Sequence, residues 1–305
     1  MKPQTTESTL VPNSIARHMC DIPAKRVIKG YKQYGIDIRK NFSDLRQISI
    51  YKCDKSGYSF YLPSSLAGDS KFYESLQDFK WYYLPWKWEH EIALSYLNDG
   101  QSVLEVGCAH GAFLKGLNSR FKMSRSIGLE LNESTPSDAE SFKIVNLEIE
   151  EFQKENLESF DVVCSFQVLE HVHEVHRFLQ AKINCLKSGG KLLISVPNND
   201  SFVGKNFSVL NMPPHHMGLW NKVSLKYLEQ LFPIRLVDIH YEPLQEYHVE
   251  SYVYSAFYSK YPRWIGNPLK ILNKLTGRYK DILSETAAKR MEINGHTIFA
   301  AFSKI

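Results

Sequence analysis

A strand pattern that runs through small residues into a helix constrains this 305-residue chain more than any other feature. Apolar residues surround an acid in Val103–Val106, Gly107, Ala109 and Gly111 follow, and a helical pattern begins at Phe113. Because small residues leave no bulky Cβ substituent in the way, the chain can turn tightly there and present the helix N-terminus to a ligand. The stretch predicts a strand–turn–helix unit of an α/β fold.

The next predicted strand, Ser126–Leu131, carries an acid near its end, at Glu130. An acid at this point of a βαβ unit can accept hydrogen bonds from both hydroxyls of a ribose. We therefore predict a nucleoside cofactor. A dinucleotide is disfavoured, because two of the three glycines of its fingerprint would fall on Ala109 and Ala112.

The order acid-x-Gly-x-small-x-Gly in Glu105–Gly111 resembles the first motif of class I S-adenosylmethionine-dependent methyltransferases, with Ala109 at the family's middle glycine. Further motifs follow in the family's order. Phe142–Glu148 is a third strand ending in an acid, and Phe160–Val172 is similar to the family's FDvV…vLEHv segment. Leu186–Asn198 gives a Gly-Gly turn and a fifth strand.

The resemblance covers about residues 80–244 and 292–305. It implies a class I methyltransferase fold, a seven-stranded, mostly parallel sheet with helices on both faces and an antiparallel last strand. Near-continuous apolar strands that alternate with helices are typical of such a sheet. We expect an N-terminal accessory module at 1–75, the methyltransferase domain at 76–244 with 292–305, and a helical insert at 245–291.

The resemblance also implies which residues hold S-adenosylmethionine. Glu130 would bind the ribose, and Glu148 matches the position that meets the adenine amino group. The full expected set is Glu105, Gly107, Cys108, Ala109, Gly111, Glu130, Leu131, Glu148, Ile149, Phe166 and Gln167.

The chemistry implied is in-line transfer of a methyl group from sulfonium to a nucleophile. Holding donor and acceptor in line contributes about 7–11 kcal/mol, and a positioned base adds a factor of about 10²–10⁴. We expect O-methylation of a small-molecule or glycan-type hydroxyl, with N- or C-methylation as the alternative. A non-catalytic binding module is disfavoured, since it would not need a ribose-binding acid.

The loop Asn211–Trp220, after the fifth strand, contains the pair His215 and His216. The carboxyl ends of parallel strands are where ligands bind in such sheets. An unperturbed imidazole titrates near pH 6.5 and can take a hydroxyl proton at neutral pH. We expect one of the two histidines to be the catalytic base, with packing of the loop as the alternative.

Two other features invite a metal hypothesis that we do not favour. Gln167, Glu170 and His171 would share one face of a helix, where ubiquinone-pathway O-methyltransferases read E-x-x-E-H, a motif associated with a divalent metal. Gln167 removes one carboxylate, so we expect the segment to shape the cofactor pocket and the start of a helix instead. Cys53 lies at the turn of a predicted β-hairpin where relatives resemble zinc ribbons, but one cysteine cannot hold zinc. We expect no metal.

Residues 71–90 are rich in aromatic side chains. We expect a packed helical lid, with a roof over the cofactor formed by Tyr82 or Trp86 as the alternative. The aromatic residues are Phe72, Tyr73, Phe79, Trp81, Tyr82, Tyr83, Trp86 and Trp88.

Charge and composition limit the classes of binding partner that we expect. Residues 246–291 hold eight Lys/Arg against four Asp/Glu, a net of +4 that equals the formal charge of the whole chain. A solvated cap, an anionic substrate or membrane-surface contact through 264–275 fits this segment, while nucleic acid is not expected because the overall excess is small. With scattered cysteines and no apolar leader or membrane span, we expect a cytoplasmic protein.

Overall fold

The computed structural model describes residues 4–43, 45–77, 79, 85–132, 138–139, 141–205 and 207–305. The strands are Thr5–Glu7 (β1), Ile15–Pro23 (β2), Gln47–Cys53 (β3), Ser59–Leu62 (β4), Ser102–Val106 (β5), Arg125–Leu129 (β6), Asp138–Ala139 (β7), Phe142–Val145 (β8), Phe160–Phe166 (β9), Leu186–Pro197 (β10), Gly218–Leu219 (β11), Ile234–Pro243 (β12) and Asn294–Lys304 (β13).

Most helices lie between strands of the larger sheet or in the insert before β13. The α-helices are Ala24–Lys32 (α1), Ser70–Gln77 (α2), Trp88–Leu94 (α3), Ala112–Asn118 (α4), Ile149–Phe152 (α5), Val175–Cys185 (α6), Phe202–Lys205 (α7), Lys222–Lys226 (α8), Val249–Lys260 (α9), Arg263–Leu275 (α10) and Arg278–Ala288 (α11). Short 3₁₀ turns cover Arg39–Phe42, Ser64–Leu66, Gln153–Glu155, Val209–Asn211, Tyr227–Gln230, Glu246–His248 and Arg290–Glu292.

The larger sheet has the order β12-β13-β10-β9-β5-β6-β8-β7. Its centre, from β10 to β8, is parallel, and β13 runs antiparallel between β10 and β12. The expected mostly parallel sheet with an antiparallel last strand is thereby confirmed, and the two-residue β7 is added at one edge.

Both faces of this sheet are covered because alternate residues of each strand point to opposite sides. Val103 packs in a core with Ala93 of α3 and Phe113 of α4. Its neighbour Leu104 belongs to the opposite core, which includes Leu179 of α6. The near-continuous apolar strands in the sequence follow from this double burial.

The segment after β9 differs from the sequence expectation. Gln167 has a φ of +57°, and the chain forms a turn through His171 before α6 begins at Val175. The interpretation of Gln167, Glu170 and His171 as one helical face was therefore wrong, because the backbone leaves β9 in a left-handed conformation instead of entering a helix.

The N-terminal strands form a second, five-stranded sheet in the order β1-β2-β3-β4-β11. The predicted hairpin is present, with β3 and β4 antiparallel. The edge strand β11 comes from the loop after β10 and pairs with β4. The N-terminal segment and the 211–220 loop are therefore built as one structure.

The predicted helical insert consists of α9, α10 and α11. Trp264, Ile271, Leu272 and Leu275 of α10 are exposed, between 54% and 81% of their full accessibility. Among the described residues, no helix is both long and apolar enough to cross a membrane.

Candidate cofactor and acceptor site

One cavity of about 1180 Å³ lies at the carboxyl ends of the parallel strands. The turn after β5, the ends of β6 and β9, and the 211–220 loop all line it. Of the residues expected to hold the cofactor, every one except Gly111 lines this cavity, and so do His215 and His216. The structure thus places cofactor and acceptor candidates in a single space.

The turn between β5 and α4 is held by backbone contacts and by one carboxylate. The amides of Gly107 and Cys108 donate to the carbonyl of Leu129, at 2.8 and 3.0 Å. The Glu130 carboxylate accepts from the amide of Ala109 at 2.8 Å and from that of Asn132 at 3.0 Å. Each carboxylate oxygen keeps a further acceptor position, so Glu130 can fix the turn and still accept from a ribose.

Two glycines of this turn are required by conformation and by space. Gly107 has a φ of +76°, and a Cβ there would lie 2.5 Å from the Val168 side chain. Gly111 has a φ of +68° at the start of α4, and its Cβ would lie 2.4 Å from the Phe142 ring. Ala109 tolerates its φ of +46° as a small residue, which explains the departure from a glycine there.

Glu105 is the buried acid of the motif, with 4% of its surface exposed. Burial, with a further contribution from Glu130 and against the effect of Lys87, raises the pKa of Glu105 well above its usual range. Its Oε2 is buried without a hydrogen-bond partner. Glu105 also lines the cavity, and a buried carboxyl oxygen without a partner fits a ligand that carries a hydrogen-bond donor.

The other expected cofactor residues line the same cavity as this turn. Leu131 is exposed. Glu148 lies just before α5, and Ile149, the first residue of α5, is buried. Phe166 is buried, and the Gln167 amide donates to the Ser195 carbonyl at 3.0 Å. These residues line the same cavity as Glu130 and give it the mixture of apolar and polar groups that is typical of ligand pockets.

The 211–220 loop is anchored by the N-terminal segment. Tyrosine hydroxyls donate to successive loop carbonyls, from Tyr31 to Met212 at 2.9 Å, from Tyr61 to Asn211 at 3.1 Å and from Tyr73 to His215 at 3.2 Å. These contacts place the loop histidines against the cavity. The N-terminal segment is therefore part of the site's construction.

The loop histidines lie against a third imidazole, that of His171. Their ring centroids are 4.7 Å (His171–His215), 5.0 Å (His171–His216) and 4.3 Å (His215–His216) apart. We call these three residues the histidine cluster. Burial lowers the pKa of His171 to about 4 and the pKa values of His215 and His216 well below the usual range. The expectation that His215 or His216 titrates near pH 6.5 was therefore wrong, because burial desolvates both rings.

Several cavity residues were not singled out by sequence reasoning. Glu89 and His90 come from the start of α3, Glu242 from the end of β12, His248 from the insert and His296 from β13. Burial raises the pKa of Glu242 to about 7 and lowers that of His296 to about 3. Glu89 and His90 could have been found from the sequence, because they are a polar pair at the end of the aromatic-rich residues 71–90.

The expected aromatic roof is described only in part. Trp86 lines the cavity and packs on Gly116, while Arg120 lies 4.5 Å from its ring. Tyr82 lies outside the described residues.

Cys53, at the predicted hairpin, is buried, with its Sγ 3.7 Å from Ser14 Oγ.

Comparison with known proteins identifies a family match and similar methyltransferases. A family model described as "Methyltransferase domain" matches residues 81–235, about half of the chain. A ubiquinone biosynthesis O-methyltransferase from Glaesserella parasuis is 29% identical over 123 residues, which is 35% of this chain and 52% of that protein. A probable S-adenosylmethionine-dependent methyltransferase from Mycolicibacterium smegmatis is 31% identical over 149 residues, 46% of this chain and 55% of that protein. The chain spans about half the length of these curated relatives.

Solved structures give the same fold. A SAM-dependent methyltransferase from Archaeoglobus fulgidus superposes with a TM-score of 0.50 at 18% identity, covering 76% of this chain and all of that one. A phosphoethanolamine N-methyltransferase from Haemonchus contortus also gives 0.50, at 14% identity, over 98% of this chain and 70% of that one. With the motif turn, the sheet order and the family match taken together, the chain belongs to the class I S-adenosylmethionine-dependent methyltransferases, and S-adenosylmethionine is its co-substrate.

Proposed function

We propose that this methyltransferase transfers a methyl group to a hydroxyl of a small-molecule or glycan-type acceptor. The observation that carries the proposal is the shared cavity. The same cavity is lined by the motif turn with Glu130, which we call its cofactor side, and by the histidine cluster, which we call its acceptor side. The relatives named as ubiquinone biosynthesis O-methyltransferases support oxygen as the acceptor atom.

In the proposed reaction, the acceptor oxygen attacks the methyl carbon of the sulfonium. The O–C bond forms while the S–C bond breaks, and its electron pair stays on sulfur as S-adenosylhomocysteine. The hydroxyl proton passes to the 211–220 loop, with His215 or His216 as the base, since burial lowers the pKa of both imidazoles and keeps them neutral before the reaction. Both imidazoles donate from Nδ1, to the Leu210 carbonyl at 2.8 Å and to the Asn211 amide oxygen at 3.0 Å, so Nε2 is the nitrogen that accepts a proton.

The insert contributes to the acceptor side in this proposal. Gln245, Tyr247, His248 and Ser251 line the cavity, so the insert bounds the space left for the acceptor. Membrane-surface contact through 264–275 stays a prediction that the exposed apolar residues of α10 support. Cytoplasmic localisation likewise stays a prediction.

The proposal is tested with labelled co-substrate. The protein and S-adenosylmethionine carrying a CD₃ group are incubated with a metabolite extract from cells that lack the protein, and products are followed by mass spectrometry and NMR. We expect a product with CD₃ on oxygen. CD₃ on nitrogen or carbon would replace O-methylation with the alternative chemistry. Binding of S-adenosylhomocysteine without any labelled product would favour a non-catalytic module.

A further inference from the structure

Three buried carboxyl groups line the cavity and take no part in the proposed methyl transfer. Glu89 lies at the start of α3, Glu170 in the turn after β9 and Glu242 near the end of β12. Their exposed fractions are 2%, 1% and 4%. We call these residues the carboxyl cluster. Because burying carboxyl groups is costly, their presence in a cavity wall points to a ligand that interacts with them.

The fold brings the cluster to one end of the larger sheet. β12 is antiparallel to β13, which is antiparallel to β10, so β12 runs parallel to the central strands. Glu242 therefore lies at the carboxyl ends of the strands, as Glu170 does. Burial raises the pKa of Glu170 to about 8 and that of Glu242 to about 7, and the negative charge of Glu89 raises both further. The three carboxyls therefore interact electrostatically across the cavity wall.

One oxygen of the cluster is unsatisfied. Glu170 Oε2 is buried without a hydrogen-bond partner, while Oε1 lies 4.0 Å from His171 Nε2. Glu242 Oε2 accepts from the Thr297 amide at 3.0 Å, and each carboxyl oxygen can accept more than one hydrogen bond. A buried acceptor without a partner is rare in a folded protein. Since Glu170 lines the cavity, a ligand can supply the missing donor.

Little positive charge from the protein compensates the cluster. Among the described residues, no lysine or arginine nitrogen lies within 4.0 Å of the three carboxyls. Lys87 also lines the cavity and lowers the pKa of two of the carboxyls, but burial outweighs it. Burial lowers the pKa values of His90, His248 and His296 to about 3, about 4 and about 3, so these imidazoles are neutral at pH 7.

The insert adds aromatic and uncharged groups to this wall. Its residues in the cavity lining are Tyr247, His248 and Ser251, so its net charge of +4 comes from residues outside the lining. Burial raises the pKa of Tyr247 to about 12, with further contributions from two of the carboxyls, so the Tyr247 hydroxyl lies near the cluster. Phe202 of α7 also lines the cavity. Aromatic faces beside carboxyls attract organic cations.

We infer that the methyl acceptor carries an ammonium group that the carboxyl cluster binds, in addition to the hydroxyl that receives the methyl group. The inference deepens the proposed function and rests on it for that hydroxyl. Glu170 connects the two clusters, because its carboxyl lies 4.0 Å from the imidazole of His171. An ammonium at the carboxyls therefore places a hydroxyl on a nearby carbon at the histidine cluster. Amino alcohols and amino sugars have this arrangement.

Direct binding tests the ammonium site without turnover. Protein saturated with S-adenosylhomocysteine, in buffer that contains a chelator, is titrated by calorimetry with trans-2-aminocyclohexanol and with trans-cyclohexane-1,2-diol. The diol replaces the ammonium of the first compound by a hydroxyl. We expect the amine to bind at least about tenfold more tightly, because it makes charge-assisted hydrogen bonds that the diol cannot make. Equal affinities, or binding of neither compound, overturn the inference.

Substitution of the carboxyls tests which residues bind the ammonium. Glu89→Gln and Glu242→Gln remove the charge at nearly constant size and should weaken binding of the amine by about 10–100-fold, with little change for the diol. Glu155→Gln, at an exposed residue outside the cavity lining, is the matched control. Unchanged affinity for the amine in both cavity variants, or an equal loss in the control, overturns the inference.

A variant that does not fold offers no test, so affinity for S-adenosylhomocysteine is measured first. If both glutamine variants fail this check, Tyr247→Leu replaces them, because Tyr247 is 64% exposed and its loss leaves the buried core intact. It should weaken binding of the amine by about two- to fivefold through loss of a cation–π contact. Unchanged affinity in Tyr247→Leu then overturns the inference.

The labelled-product experiment separates this inference from the proposed function. Treatment of the metabolite extract with a reagent that acetylates amines removes their charge and leaves hydroxyls free, so we expect the product with CD₃ on oxygen to disappear. Such a product that survives acetylation overturns the inference and keeps the proposed function. CD₃ on nitrogen, or no product, rejects the proposed function. The ammonium site then stands if wild type prefers the amine to the diol and Glu242→Gln does not.

Discussion

The two sides of the cavity are built in different ways. The cofactor side comes from the turn after β5, which is fixed by backbone amides and by Glu130, and from the ends of β6, β8 and β9. The acceptor side is assembled from α3, the turn at His171, the 211–220 loop, β12, the insert and β13. The cofactor side spans residues 105–167, whereas the acceptor side draws on segments from α3 to β13. Variants should therefore separate cofactor affinity from turnover.

The largest effect is expected on the cofactor side, from Gly107→Val. The substitution combines a φ of +76° with a Cβ that lies 2.5 Å from Val168. We expect a loss of about 1–3 kcal/mol from backbone strain, a further loss of about 1–3 kcal/mol from overpacking, and no measurable binding of S-adenosylhomocysteine by calorimetry. Gly100→Val is the matched control, because Gly100 has a φ of +80° with open space around it. It should be destabilised by strain alone and bind normally. Equal binding by both variants would contradict the assignment of the turn.

The next effect lies on the acceptor side. His215→Ala or His216→Ala should reduce turnover by about a hundredfold or more while calorimetric affinity for S-adenosylhomocysteine stays unchanged. His18→Ala serves as the control for a histidine outside the cavity. Near-normal turnover in both cluster variants would end the claim that this loop activates the acceptor. A joint loss of stability and cofactor affinity would show that the histidines only pack the loop.

Glu130→Ala should weaken S-adenosylhomocysteine binding by about 1.5–3 kcal/mol, because a charge-assisted hydrogen bond to the ribose is lost. The Ala109 amide also loses its acceptor. Glu130→Gln keeps a carbonyl oxygen and should lose less. The fold is checked by circular dichroism. Unchanged affinity in Glu130→Ala, with an intact fold, would remove this residue from the cofactor site.

A smaller effect should reveal the role of the N-terminal segment. Tyr31→Phe with Tyr61→Phe removes two hydroxyls that hold the 211–220 loop, each worth about 0.5–1.5 kcal/mol. We expect lower stability in urea and reduced turnover with unchanged cofactor affinity. Tyr227→Phe is the control, because Tyr227 does not line the cavity. A loss of cofactor affinity instead would show that the two sides are not separable.

The smallest effect is expected at the amino ends of the parallel strands, opposite the ends that line the cavity. Asp161, in β9, accepts from the amide and hydroxyl of Ser102, at 2.8 and 2.7 Å, and from Lys187 at 2.9 Å. Burial alone would raise the pKa of Asp161, but these bonds outweigh it and lower the pKa. Its stabilisation is therefore present above about pH 4 and is lost as the pH falls through the folded-state value.

Urea unfolding measured at several pH values tests this pH dependence of the stabilisation by Asp161. The stability difference between wild type and Asp161→Asn should be largest near neutral pH and shrink below about pH 4. A constant difference at every pH would contradict it. Cofactor affinity should not change, because Asp161 lies at the amino end of its strand, away from the cavity.

The sequence predicts the cofactor side well because its information is contiguous. The small residues of Glu105–Gly111 and the acid at Glu130 are consequences of one βαβ unit. The histidine cluster could not be predicted as a unit, since His171 and the loop meet only through tertiary contacts. The helix expected to begin at Gln167 does not form there, because Gln167 has a left-handed φ. The lowered imidazole pKa values follow from burial, which a loop sequence does not reveal.

A crystal structure of the protein with S-adenosylhomocysteine tests the division of the cavity most directly. The account predicts ribose hydroxyls within hydrogen-bond distance of the Glu130 carboxylate, and a sulfur atom directed toward His171, His215 and His216. A ligand bound in the reverse orientation, with its sulfur turned away from the histidine cluster, would contradict the account.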